Sequence, residues 1–329
     1  MEYPEVTVFV TLRNAVHTIE NCHKSIMDLN YPKDKMRVLY IDAFSTDGSW
    51  EKLKEISKDD KRIVLLQVKG GPATAYNHAL KNSIIKTPLF ALTDADCVVD
   101  KSWLKEIVKP MEDPKVVGVA GVAINPEGLG RLPKLIGMEL TKRYARFPNR
   151  LPREATMNLC VRTEVAKEIL FDERLFVSYD TDFGYRTTSK YGLFVYNKDA
   201  KVYHYHRASW KSFFRQQFLY ARYVPMLYLK HFHRATGDHV STPGMMIQPF
   251  ILGFAILSLL ISGLVPFFYY VFAISITLLM VLYTKTIWAI ETNSFIEIFY
   301  LFGIMLTRNV AWLFGLFMGI LDLIKGKYR

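Results

Sequence analysis

The chain has 329 residues, half of them hydrophobic, a formal charge of +11 and three cysteines. No nucleic-acid motif accompanies the charge, and many of the basic residues lie between Lys134 and Arg234, just ahead of an apolar region. The basicity therefore points to anionic lipid head groups or a phosphate-bearing substrate, with no nucleic-acid partner. Cys22, Cys97 and Cys160 are odd in number and lack metal-ligand spacing, which excludes a disulfide framework and implies a reduced, cytosolic setting.

Short β-branched apolar runs at residues 6–10, 38–41, 63–66 and 89–92 each read as a buried parallel strand. Between the first two, Ile19, Cys22 and Ile26 fall at i, i+3 and i+7, and between the last two Ala75, Ala79 and Leu80 share a helical face. The βαβαβαβ order predicts an α/β fold, a mostly parallel sheet with helices on both faces. Ligands of such sheets gather beyond the carboxyl ends of the strands. No signal peptide precedes the first run, so a cytosolic N-terminus is expected.

Further on, Trp210, Phe213, Phe214, Phe218 and Ala221 follow helical spacing, with Lys211, Arg215 and Arg222 between them. Two readings stand: a helix lying in the head-group layer, or a surface helix packed on its own domain. Nearness to the apolar region favours the first. Residues 244–284 hold no charge and no His. At about 1.5 Å per residue that run reaches roughly 60 Å, twice a hydrocarbon core of about 30 Å. It predicts a transmembrane hairpin over residues 245–284, turning near Gly263 to Pro266. A third apolar segment, residues 295–323, carries Arg308 and Asn309 at its centre, where an unpartnered charge costs at least about 2.5 kcal/mol. It crosses, folds back or lies in the interface. Lys325, Lys327 and Arg329 favour a cytosolic C-terminus, so two or three crossings both remain open. The division expected is a catalytic domain over residues 1–208, an interfacial helix region over 209–243 and a membrane domain over 244–329.

The chemistry-bearing residues follow the strands. Asp94-Ala95-Asp96 leaves the fourth strand directly, and two hard carboxylates there suit Mg²⁺ or Mn²⁺ with positions left for diphosphate oxygens. Asp42 ends the second strand in a turn-rich run. It is expected to accept a hydrogen bond from a nucleobase, with Asp47 left to cap a helix. Gly70-Gly71-Pro72 opens a helix whose free N–H groups suit a phosphate, or is a plain loop. In Tyr179-Asp180-Thr181-Asp182 one carboxylate is expected to cap a helix and the other to act as a general base. A strand at residues 202–207 puts His204 and His206 on one face, where His204 is either a third metal ligand or an ordinary histidine.

In their order these motifs resemble glycosyltransferase family 2 along nearly the whole soluble part. The similarity runs through Val6-Thr7-Val8 to Leu12-Arg13-Asn14, Ser25-Ile26, Tyr31-Pro32, Ile41 to Ser49, Thr93 to Cys97 with Trp103-Leu104, and Phe171 to Arg186. It implies a GT-A fold and an inverting transfer from a UDP- or GDP-sugar. Donor contacts would come from Thr11, Arg13, Asn14, Asp42, Asn77 and Asp94, with Mn²⁺ or Mg²⁺ held by Asp96, Asp94 and His204. Asp180 would be the general base, and Arg150, Arg153, Asn158, Asp182 and Arg186 would meet the acceptor. The chain departs from the family pattern at Ala43-Phe44, at Tyr76, where Arg is common, and at Tyr179, where Glu is usual. Gln216 to Tyr223 is only distantly similar to the Gln-x-x-Arg-Trp signature of processive synthases, which favours transfer of one sugar over polymer synthesis. An inactive GT-A-like membrane scaffold is the alternative from another class, and the retained carboxylates oppose it. A membrane-held site gains a high local concentration of lipid-borne acceptor, so a polyprenyl phosphate or lipid-linked oligosaccharide is the expected partner, at the cytoplasmic membrane face. The basic stretch Lys142 to Arg153 is either a clamp for its phosphate or a solvated loop.

Overall fold

The structure, a computed structural model, describes residues 3–292 and 294–327. Contacts divide the chain into two units, residues 1–126 with 147–205 and residues 127–146 with 206–329.

The first unit opens with β1 (Val6–Leu12), α1 (Ile19–Met27), β2 (Met36–Asp42), α2 (Ser49–Ile56), β3 (Ile63–Gln67), α3 (Pro72–Lys81) and β4 (Leu89–Asp94). It continues with β5 (Cys97–Val99), α4 (Trp103–Val108) and β6 (Gly118–Ile124), then leaves for α5 (Arg131–Tyr144) in the second unit. It returns for β7 (Arg150–Leu151), β8 (Leu159–Arg162), α6 (Thr163–Ile169), α7 (Tyr179–Tyr191) and β9 (Phe194–His204). Among the described residues these strands form one nine-stranded sheet in the order β3-β2-β1-β4-β8-β6-β9-β5, with β7 on β9.

The four strands legible in the sequence pair in parallel, β3 to β2, β2 to β1 and β1 to β4. Beyond β4 the sheet turns mixed: β8 runs antiparallel to β4 and β6, while β6 and β9 are parallel. Alternate residues of each strand serve opposite faces. Phe9, Leu39, Ile41, Phe90 and Leu92 form one core with Ala75, Tyr76 and Ala79 of α3. On the other face His23 of α1 meets the Tyr40 hydroxyl at 3.0 Å. β3, read from sequence as buried, is the sheet edge and leaves Val64 44% exposed. At residues 202–207 the strand stops at His204, so His206 lies past it and the two histidines share no strand face.

The second unit holds α5, α8 (Trp210–Lys230), α9 (Pro243–Ser262), α10 (Phe267–Trp288) and α11 (Phe295–Ile324). Among the described residues three helices, α9, α10 and α11, are long and apolar enough to cross a membrane. The turn between α9 and α10 falls at residues 263–266, where the sequence predicts it. α11 is continuous for 30 residues, about 45 Å at 1.5 Å per residue. It packs closely on α8, because a Cβ at Gly315 or Gly319 would strike the backbone of Phe218 or Arg222. Part of the apolar face of α8, including Phe213 and Ala221, is thus buried inside the unit, while Tyr220 and Leu229 stay exposed. The charge at the centre of α11 is partnered: Arg308 donates to Glu139 of α5 at 2.6 Å, both buried. Asn309 donates to Gln248 of α9 at 3.1 Å and to the Tyr283 hydroxyl of α10 at 2.5 Å.

Candidate active site

β1 lies between β2 and β4, with Leu12 beside Asp42 and Thr11 beside Asp94. Three strands therefore end together, and Thr11, Asp42 and Asp94 occupy neighbouring rows at the carboxyl edge. After β4 the chain turns through Ala95-Asp96 into β5, whose Cys97 sits opposite His204 at the end of β9. That antiparallel step brings His204 Nε2 to 3.5 Å from Asp96 Oδ1. The ligand atoms of Asp96, Cys97 and His204 lie within 4.8 Å of one another. Burial, and then the carboxylates of Asp96 and Asp94, push the Cys97 thiol well above its usual range. Cys97 offers a soft sulfur, poorly matched to Mn²⁺ or Mg²⁺. Of that group Asp96 and His204 then remain, a carboxylate oxygen and an imidazole nitrogen. Asp94, half-buried like Asp96, stands outside the group at the end of β4, and hard oxygen donors of this kind fit Mn²⁺ or Mg²⁺.

Asp180 lies outside the sheet, on a helix. Ser178, in the left-handed region with φ 65°, starts α7 and places Asp180 in its first turn. There Asp180 Oδ1 accepts from the Thr181 N–H at 2.7 Å. The carboxyl is half-buried, and burial raises its pKa; the Arg153 guanidinium and the Thr181 hydrogen bonds oppose that rise without cancelling it. Arg153 is itself buried and donates to Thr181 Oγ1 at 3.3 Å. A carboxylate moved upward from its ordinary value is better matched to accept a proton near neutral pH.

Between these groups sits Tyr76, which the sequence marked only as a departure from the family pattern. Its ring is fully buried against Phe9 and Phe171, at centroid distances of 4.9 and 4.8 Å, and its hydroxyl is 3.5 Å from Thr11 Oγ1. Burial, and then Asp94, raise its pKa, and Asp180 adds to the rise. Tyr179, the other departure, lies 6.0 Å from it, and its hydroxyl is 3.1 Å from Thr156 Oγ1. Asn14, Phe44 and Ser178 all have positive φ, a strain that collects around sites.

Several side chains expected to touch substrate are instead spent inside the protein. Asp42 is fully buried and accepts from the Ser45 N–H and hydroxyl and from Gln67 at 2.8 Å. Asn14 Oδ1 accepts from the Thr46 N–H at 2.9 Å, tying two loops together. Asn77 clamps the loop before α7, with bonds of 2.8 Å to Phe171 and Glu173. Asn158 donates to the carbonyls of Val122 and Ala200 and accepts from Trp103, so its amide is used up in the core, against Gly121, where a Cβ would collide with it. Asp182 accepts from Arg186 at 2.8 Å, and Arg186 also holds the carbonyls of Ile169 and Leu170 at the end of α6. Neither aspartate is the cap residue of α7, which is Ser178. Asp47 accepts from Ser49 and Val16 at the start of α2, as a structural residue does. The basic stretch is divided: Lys142 and Arg143 end α5, Arg150 is exposed on β7, as Arg13 is after β1, and Arg153 lies by Asp180.

The profile of Glycosyl transferase family 2 matches residues 7–170. Glycosyltransferase AglE of Haloferax volcanii is 28% identical over 176 residues, 50% of this chain and 55% of that protein. The chain thus spans little more than half the length of that relative. A Methanococcus voltae protein named dolichyl N-acetyl-alpha-D-glucosaminyl phosphate 3-beta-D-2,3-diacetamido-2,3-dideoxy-beta-D-glucuronosyltransferase is 23% identical over 286 residues, covering 80% of this chain and 84% of its own. In fold, the chain is similar to the mannosyltransferase PcManGT of Pyrobaculum calidifontis, solved with GDP-Man and Mn²⁺: TM-score 0.61, 16% identity, 99% of this chain and 88% of that one. With a GT-A-like sheet, the family motifs in order and apolar helices long enough to cross a membrane, the chain belongs to glycosyltransferase family 2 and is a transferase.

Proposed function

We propose that this glycosyltransferase moves one sugar from a UDP- or GDP-sugar to a lipid-linked acceptor at the cytoplasmic membrane face, with inversion at the anomeric carbon. The observation that carries the reading is the Asp96–His204 pair beside Asp94 at the sheet's carboxyl edge, with Asp94 and the α7 carboxyl of Asp180 both acting on the buried Tyr76. A divalent ion held by Asp94, Asp96 and His204 would neutralise charge developing on the leaving diphosphate. Thr11, Arg13 and the loop after Asp42 form the donor side. Asp180 takes the proton of an acceptor hydroxyl as that oxygen attacks the anomeric carbon opposite the diphosphate. The new C–O bond forms as the bond to the diphosphate breaks, which inverts the centre. The Arg153 guanidinium opposes the upward shift of the Asp180 pKa. The dolichyl phosphate in the name of the Methanococcus voltae relative supports a lipid-linked acceptor. Three buried cysteines, all free, suit a cytosolic catalytic unit. The merely distant similarity of Gln216 to Tyr223 to the processive signature supports single transfer.

A panel of nucleotide sugars, each added with Mn²⁺ or with EDTA, tests this through the melting temperature. A ligand at 100 times its Kd stabilises by about 2.7 kcal/mol. One nucleotide class is expected to raise the melting temperature with Mn²⁺ and not with EDTA. Equal shifts in EDTA would remove the metal role, and no shift from any member of the panel would remove the donor.

A further inference from the structure

Phe44 is an exposed aromatic ring beside the candidate site. It stands two residues past Asp42 at the carboxyl end of β2, has φ 55° and leaves 52% of its surface exposed. Left-handed backbone is unfavourable for a bulky side chain and open to glycine, so folding alone would favour a smaller residue there. The neighbouring chain is pinned on both sides. Ser45 donates its N–H and hydroxyl to Asp42, its hydroxyl oxygen accepts from the Asn14 N–H at 2.8 Å, and Asn14 accepts from Thr46. The ring is thus held out by a loop that has little freedom to withdraw it. Asp42, the residue first expected to meet the base, is fully buried, with its oxygens engaged by Ser45 and Gln67. The aromatic ring is an accessible group at this strand end, beside exposed Thr46 and Arg13.

We infer that Phe44 is the platform on which the nucleobase of the donor stacks. The inference rests on the nucleotide-sugar reading and deepens it: affinity for the base comes from the face of a phenyl ring, which any base satisfies, and Asp42 shapes the loop that presents it. Phe44 is on this account a binding and positioning residue, and the diphosphate contacts are independent of it.

The test is calorimetric titration of the full chain in detergent, with Mn²⁺, against UDP, GDP and inorganic pyrophosphate, for the wild type, Phe44→Gly and Phe44→Tyr. Loss of one base–aromatic stack is expected to weaken UDP or GDP binding roughly tenfold or more in Phe44→Gly. Pyrophosphate affinity should stay within about twofold, because the ring faces the base alone. Phe44→Tyr should restore the nucleotide affinity, and the melting temperature of Phe44→Gly should not fall, since glycine accepts the backbone. Unchanged nucleotide affinity in Phe44→Gly, or an equal loss for pyrophosphate, would overturn the platform while leaving the donor reading intact. A wild type that binds neither UDP nor GDP would overturn the donor reading itself.

Discussion

Asp180 carries two opposing demands that one substitution separates. Burial raises its pKa in the folded chain, so the native state binds that proton more tightly than the unfolded state does. Stability from this group therefore grows as pH falls through the raised value and is missing at neutral pH, where the buried charge is a cost. Asp180→Asn is expected to raise the melting temperature at neutral pH while lowering kcat about 10²- to 10⁴-fold, the usual worth of a general base. Asp182→Asn is the control: it removes the partner of Arg186 and should lower stability with little effect on chemistry. The acid limb of the rate profile should sit above the ordinary carboxylate range, and Arg153→Gln should move it further up. A limb unmoved by Arg153→Gln, with normal turnover in Asp180→Asn, would assign the proton to another group. An acceptor that reacts already ionised, such as a lipid phosphate, would leave both aspartate variants at wild-type turnover. The placement of Asp94, Asp96 and Asp180 at strand or helix ends was legible, because motif and position agree there. The internal partners of Asn77 and Asn158 were not, since they lie in segments far away in sequence, as Asn77 to Phe171 and Asn158 to Ala200 show. The departures at Tyr76 and Tyr179 gave a signal of their own: the two rings lie together, tilted, with centroids 6.0 Å apart.

At the scale of elements, the first four strands and the helices between them were legible because each parallel βαβ unit is local. β6 and β8 were not, and β9 only at its end, since their pairing mixes directions across more than seventy residues, between Val119 and Val195 for example. The excursion of α5 into the second unit was likewise hidden. Its sequence pattern is that of any amphipathic helix, and only the contact of Glu139 with Arg308 explains why a carboxylate sits on its buried side. Burial raises the pKa of Glu139, but Arg308 and Arg143 more than offset this and hold it below the usual range, so the pair is ionised. Breaking one side of a buried pair typically costs about 3–5 kcal/mol, while removing both partners together is far milder. Glu139→Leu and Arg308→Leu should each lower the melting temperature in detergent, and the double variant should recover most of the loss. Additive losses in the double variant would show that the two residues act separately.

Taken whole, the molecule joins a sheet whose carboxyl edge collects hard ligands to a helical unit whose polar residues are turned inward. Leu264, Phe267 and Phe299 are among the most exposed apolar residues of the second unit. On the proposed function, this apolar surface would hold the chain where a lipid-linked acceptor is concentrated. The most direct measurement is transfer of a labelled sugar from UDP- and GDP-sugars into the lipid extract of vesicles that hold the full chain and, in parallel samples, a polyprenyl phosphate or a lipid-linked saccharide that carries the acceptor hydroxyl. With Mn²⁺ the label should enter the lipid fraction, and EDTA or Asp96→Asn should abolish it. Label entering the lipid equally in EDTA and in Asp96→Asn, or none entering from any donor with Mn²⁺ and acceptor present, would contradict the account.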